Sequence, residues 1–260
     1  MYFNTLNNLF SRNISLSIRF LCLFDFYRQT FIYFRYFIMI LFIKRLVTET
    51  TINDTVADFA CIIVDRQGNI HNQCAVMVKG HYDNMELFYD KASNDIWGYE
   101  GLIKRKMGYI AMLDNGIRMI ASVNAINKWI NQAIGKYNPT LTAYNLAFDL
   151  NKCTNTGIDL SGFNSKFCLW QASVGNICKT KKYKQFCLDN HGFNNVTKHG
   201  NMTFKTNAEM VCGYINNNFI IEPHTALEDA RDFELPILTH IIKKRNWQDN
   251  IIPYDWNKFQ

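Results

Sequence analysis

The sequence predicts an α/β domain in which a mixed sheet is flanked by helices, with an atypical extension in front of it. Two observations carry this. The segments IMILFIKRLV (38–47), VADFACIIVD (56–65) and HNQCAVMVKG (71–80) read as three strands joined by short turns, which makes an antiparallel start. Beyond them helical and strand patterns alternate, which implies parallel crossovers and helices packed on the sheet. No internal repeat or Gly/Ser-rich linker divides the chain, so residues 39–260 read as one domain and residues 1–38 as a hydrophobic, aromatic extension outside it.

Taken in order, VADFACIIVD is a continuous apolar run, and DRQGNI turns around Gly68 into the returning strand. Residues 81–116 carry no pattern that assigns an element. In 119–137 the apolar positions Ile120, Val123, Ile126, Ile130 and Ile134 have helical spacing. TLTAYNLAFDL (140–150) reads as a strand running into a turn or helix, and FCLW (167–170) as a short strand. Helical patterns follow around 181–189 and 204–216, then from Thr225 to about Arg245. Thr225 and Glu228 form a capping-box pattern at the start of this last helix, and Pro223 sharpens the boundary.

The chain has 260 residues, 48% hydrophobic and 19% charged, which supports a packed core and excludes global disorder. The net charge of +6 favours an anionic partner, but only weakly. Eight cysteines lie far apart with no CxxC pair, which fits a reducing, cytoplasmic compartment. Cys178, Cys187, His191 and His199 match no standard zinc spacing.

Residues 1–45 contain one acid, Asp25. The run FIYFRYFIMILFI (31–43) looks membrane-like, but Arg35 breaks it and it falls short of a spanning helix, so membrane association is the less favoured of three readings. Arg19, Arg28 and Arg35 fit a targeting segment, and the residue types fit an unselected upstream extension. These alternatives stay open.

Three acidic segments then align with the elements. TETT (48–51) ends the first strand and carries Glu49, NLAFD (145–149) follows the fourth strand and carries Asp149, and HTALED (224–229) opens the last helix with His224 and Asp229. Carboxylates at strand ends and a helix mouth can converge on one sheet edge. Hard oxygen ligands of this kind suit Mg²⁺ or Mn²⁺ together with substrate phosphates.

This set resembles the three motifs of the DEDDh (DnaQ-like) 3′–5′ exonucleases, which have the ribonuclease H-like fold. Asn145, Phe148 and Asp149 match the second motif, and His224 with Asp229 the third, His-x₄-Asp. The resemblance implies a two-ion site of Mg²⁺ or Mn²⁺ held by Glu49, Asp149 and Asp229, with His224 as general base. It implies that Thr50, Thr51, Asn145 and Phe148 line the pocket for the terminal nucleotide. The expected substrate is a nucleic acid with a 3′ end, single-stranded, DNA or RNA, and a DNA polymerase is a conceivable partner in replication proofreading.

One position departs from the family. The first motif is Asp-x-Glu, and Val47 stands where the Asp belongs; Asp54 lies beyond the strand end. Three readings therefore stay open: an exonuclease, active or impaired; a non-catalytic nucleic-acid-binding or polymerase-accessory module; or an aberrant N-terminal sequence joined to an ordinary enzyme. KTKKYKQF (179–186) could track a strand through its lysines, Tyr183 and Phe186, but reads better as a solvated helix face, as does IIKKR (241–245).

Overall fold

The computed structural model describes residues 38–42, 50–193, 203–219, 221–222 and 224–252. The strands are β1 (Ile38–Phe42), β2 (Asp58–Val64), β3 (Ile70–Val78), β4 (Met119–Ala121), β5 (Thr140–Ala143) and β6 (Ser165–Cys168). They form one mixed sheet in the order β4-β3-β2-β1-β5-β6. β1–β2 and β2–β3 are antiparallel, while β3–β4, β1–β5 and β5–β6 are parallel. The architecture is therefore α/β with an antiparallel start and parallel crossovers.

β2 shows why its sequence is continuously apolar. Ala60, Ile62 and Val64 enter one core with Leu169, Val211 and Ile237, while Phe59, Cys61 and Ile63 enter another with Ile126, Ile130 and Leu141. A strand covered on both faces has no solvent side on which polar residues could alternate.

The helices are α1 (Tyr99–Asp114), α2 (Val123–Tyr137), α3 (Leu146–Thr156), α4 (Leu169–Ser173), α5 (Lys181–Asp189), α6 (Ala208–Asn216), α7 (Ala226–Asp229) and α8 (Leu235–Ile242). α2 and α3 pack on one face of the sheet and α4 to α8 on the other. α1 closes a smaller cluster through Leu102 and Tyr109, against Ala57, Met77 and Leu87.

The turn between β2 and β3 is built by Asp65. Its carboxylate accepts the amides of Gln67 and Asn69 at 2.9 Å each, and Gly68 takes the positive φ of 91° that a side chain would resist. Partial burial would raise the Asp65 pKa, but the hydrogen bonds from His71, Asn69 and Gln67 outweigh it and bring it down to about 2.

Two expectations change. The helix expected over 119–137 begins only at Val123, because Ser122 accepts the Ala125 amide at 3.2 Å and caps it. Met119–Ala121 instead forms the edge strand β4 against β3, which leaves Ile120 exposed. The last helix is interrupted by a π turn, Ala230–Glu234, between α7 and α8. Pro236 follows it and has no amide to donate to the Asp232 carbonyl; the Cys212 thiol donates to that carbonyl at 3.6 Å.

Tyr183 is buried with its hydroxyl on the Lys205 carbonyl, and Phe186 stacks on Phe219, so neither ring is presented for base stacking. Lys181 and Lys182 are exposed, as on a solvated helix face. All described cysteines are free. Among the described residues no helix is long and apolar enough to cross a membrane.

Candidate functional site

β1 is the strand at which the sheet changes direction of growth, with β2 and β3 on one side and β5 and β6 on the other. Its parallel register with β5, Ile38 to Thr140 and Ile40 to Thr142, brings the carboxyl ends of the two strands to one edge. The start of β2 lies at that edge too, because Phe42 pairs with Ala60. α3 leaves from the end of β5, and α7 begins over β1 and β2. Such a switch point, outside the carboxyl ends of parallel strands, is where open α/β sheets form ligand crevices.

Two expected site residues enter this edge through the same backbone device. Asn145 (φ 73°) and His224 (φ 58°) both adopt the left-handed conformation. Asn tolerates it well and His several-fold better than most side chains. Each is followed by a helix with a buried carboxylate in its first turn, Asp149 in α3 and Asp229 in α7.

Asp149 is 1% exposed, and neither carboxylate oxygen has a hydrogen-bond partner from another described residue. Burial, with the nearby Glu234 carboxylate and Cys168, pushes its pKa well above the usual carboxylate range. Glu234, itself buried, accepts the Tyr144 amide at 3.0 Å through one oxygen. A buried, unsatisfied carboxylate beside a second one is a natural seat for a hard cation, which would relieve both burial and repulsion. Among the described residues no three His, Cys, Asp or Glu side chains group closely enough to hold a metal ion. Glu49, the remaining carboxylate of the expected set, and Val47 lie outside the described residues.

The start of α7 is held differently from the expected capping box. Thr225 occupies the cap position, but its hydroxyl donates to the Glu228 carboxylate at 2.6 Å instead of accepting an amide. The acceptor comes from β2: Asp58 takes the Ala226 amide at 3.0 Å. Arg118, whose side chain is fully buried, joins the two acids, with 2.6 Å to Glu228 and 3.7 Å to Asp58. Complete burial raises the Asp58 pKa to about 6, against the lowering effect of Arg118 and the Ala226 amide. Glu228, half buried, is drawn below its usual range by the Thr225 hydroxyl and Arg118 despite desolvation.

His224 is partly buried, its ring 4.7 Å from Trp97 at a 55° tilt. Its Nδ1 lies 3.9 Å from the Glu222 carboxylate. Arg105 sits over the other ring in this line, 5.2 Å from the centre of Trp97, and is anchored on the Phe88 carbonyl.

The other expected pocket residues divide. Phe148 is partly exposed with the Lys152 ammonium 4.9 Å from its ring. Lys152 pairs with Asp54, which turns that acid toward α3. Thr50 and Thr51 are each 1% exposed; they bridge to Val56 and Leu87, and the Thr51 hydroxyl is bonded to Thr55 at 2.7 Å. Buried in this way, they form no open wall of a pocket.

Sequence reasoning missed Asp58, Arg118, Glu222, Glu234 and Trp97. Asp58 gave a signal, since it is the one acid at the head of an otherwise apolar strand. The others gave none that spacing could have picked out. No family model, no curated protein and no solved structure matches this chain.

Proposed function

We propose that the chain is a metal-dependent 3′–5′ exonuclease with a ribonuclease H-like fold, related to the DEDDh group and impaired by Val47 in its first motif. The observation that carries this is Asp149: a buried carboxylate without a partner from another described residue, at the sheet's switch point. The mixed sheet with its antiparallel start, and the placement of Asp149 and Asp229 in the first turns of two helices at one edge, support the same reading.

Asp149 and Asp229, with Glu49, hold the ions. Bound Mg²⁺ or Mn²⁺ supplies charge stabilisation for the attacking and leaving oxygens of phosphodiester cleavage. His224 takes the proton of the attacking water, and Glu222 faces its other side. Phe148 and Asn145 orient the terminal nucleotide of a single-stranded DNA or RNA, while Thr50 and Thr51 brace that wall. The free cysteines support a cytoplasmic location.

A second reading is favoured by Val47, where the family has an Asp: a nucleic-acid-binding or polymerase-accessory module without activity. Mg²⁺- or Mn²⁺-dependent digestion of 3′-labelled single-stranded DNA and RNA separates the two. An impaired enzyme digests slowly, gains orders of magnitude with Val47→Asp, and loses activity with His224→Ala. Silence from all three proteins sinks the exonuclease reading. Activity that survives His224→Ala overturns the assigned base.

A further inference from the structure

We infer that Trp97 is a positioning residue for His224, holding the imidazole at the angle from which it takes a proton. The catalytic half of this inference rests on the exonuclease reading; the contact itself does not.

A general base works only when its ring nitrogen is aimed, and the backbone at His224 does not aim it. The last torsion of a histidine side chain is broad, so a left-handed φ of 58° places the ring without setting its plane. The Glu222 carboxylate lies 3.9 Å from Nδ1, beyond the about 2.7–3.2 Å of a hydrogen bond, so it attracts an imidazolium without fixing the plane either. The Trp97 ring, 4.7 Å away at a 55° tilt, is within aromatic contact range and bears on the flat of the imidazole.

Trp97 is in turn built to stay in place. Its amide donates to the Asp95 carboxylate and its carbonyl accepts the Asp90 amide, both at 2.8 Å. A Cβ on Gly98 would collide with the Ser93 carbonyl, and one on Gly101 with the Ile96 carbonyl, so the loop 90–98 closes onto the start of α1 only because both are glycine. Arg105 of α1 is 7% exposed; it is anchored on the Phe88 carbonyl at 2.9 Å and lies over the indole, 5.2 Å from its centre. Among the described residues Trp97 belongs to none of the three apolar cores, so core packing does not account for it. A buried arginine and a tight loop converge on one indole, and what that indole meets is His224.

Two measurements on the full chain test this. The first follows the His224 ring protons by NMR in protein labelled with ¹³C-histidine, assigned with His224→Ala. The ring current of Trp97 displaces these signals; Trp97→Leu removes the displacement, and Trp97→Phe, which keeps a ring in the loop, retains part of it. The second is digestion of 3′-labelled single-stranded DNA with Mn²⁺ under single-turnover conditions. Trp97→Leu lowers the maximal rate about 10-fold, a fraction of the about 10²–10⁴ that a general base contributes, and leaves the half-saturating concentration unchanged. Trp97→Phe recovers most of that loss. Because Trp97 acts through His224, the double variant Trp97→Leu/His224→Ala is no slower than His224→Ala alone.

His224 signals that stay in place in Trp97→Leu overturn the inference. So does a double variant in which the two losses add, or a Trp97→Leu defect confined to the half-saturating concentration. If the chain digests nothing while the His224 signals shift as expected, the exonuclease reading falls and the positioning of the ring by Trp97 stands.

Discussion

The two helix mouths at the candidate site begin alike and are finished differently. A left-handed residue caps α3 and another stands just before the cap of α7, and each helix buries an aspartate in its first turn. The mouth of α7 is clamped from outside its own segment by Asp58 and Arg118. At the mouth of α3, Asp149 is buried with no hydrogen bond from another described residue. A protein fixes a backbone position by satisfying its polar groups, and it keeps a binding capacity by leaving one unsatisfied. On the proposed function, the clamped mouth is the positioning half of the site and the bare carboxylate its receptive half.

The largest expected effect comes from breaking the clamp. Arg118→Met leaves Asp58 buried and uncompensated, which should cost about 3–5 kcal/mol in denaturant unfolding. A loss below about 1 kcal/mol would show that Asp58 does not depend on Arg118.

The next concerns pH. The folded-state pKa of Asp58 is raised from 3.8 to about 6, so its contribution favours the folded chain at low pH and is lost as pH rises through that window. Unfolding midpoints of the wild type should carry a decline between pH 4 and 6 worth on the order of 3 kcal/mol, which Asp58→Asn removes. An identical slope in the variant would refute the assignment.

The receptive half gives a smaller signal. Saturating Mn²⁺ should raise the wild-type thermal midpoint by an amount equivalent to about 2–3 kcal/mol, through binding to the folded state alone. Asp149→Asn should lose that shift while staying within about 1 kcal/mol of the wild type without metal. An equal Mn²⁺ shift in the variant would place the cation elsewhere.

The smallest effect tests the shared entry. Asn145→Ala should cost about 1 kcal/mol because its Cβ meets the left-handed backbone without the local bonding Asn can make. Asn145→Gly should be close to neutral. Equal losses in both would point to the Asn side chain and away from the backbone.

These contrasts also explain what was legible in the sequence. β2 and β3, the return at Gly68, and the strand-to-helix passage through NLAFD follow from local apolar pattern and turn chemistry. So do the positions of Asn145, Asp149, His224 and Asp229 at element ends. α1 resisted because its pattern is inverted: the apolar stripe Tyr99–Ile110 faces solvent while Arg105 is buried. The clamp resisted for a different reason. Asp58, Arg118 and Glu228 are separated by 60 and 110 residues in sequence, and only the fold makes them neighbours. A capping box read from Thr225 and Glu228 names the right residues but assigns them the wrong partners.

The π turn at Ala230–Glu234 bears on how such a chain can be compared with others. A π turn holds more residues than the α turn it replaces, so everything beyond it is rotated relative to His224 and Asp229. Helices that share the His-x₄-Asp opening but run regularly would align with this one only across a gap between Asp229 and Pro236. Position-by-position comparison through α8 would then pair core residues with surface ones, and the insertion itself becomes a heritable mark by which a lineage could be traced.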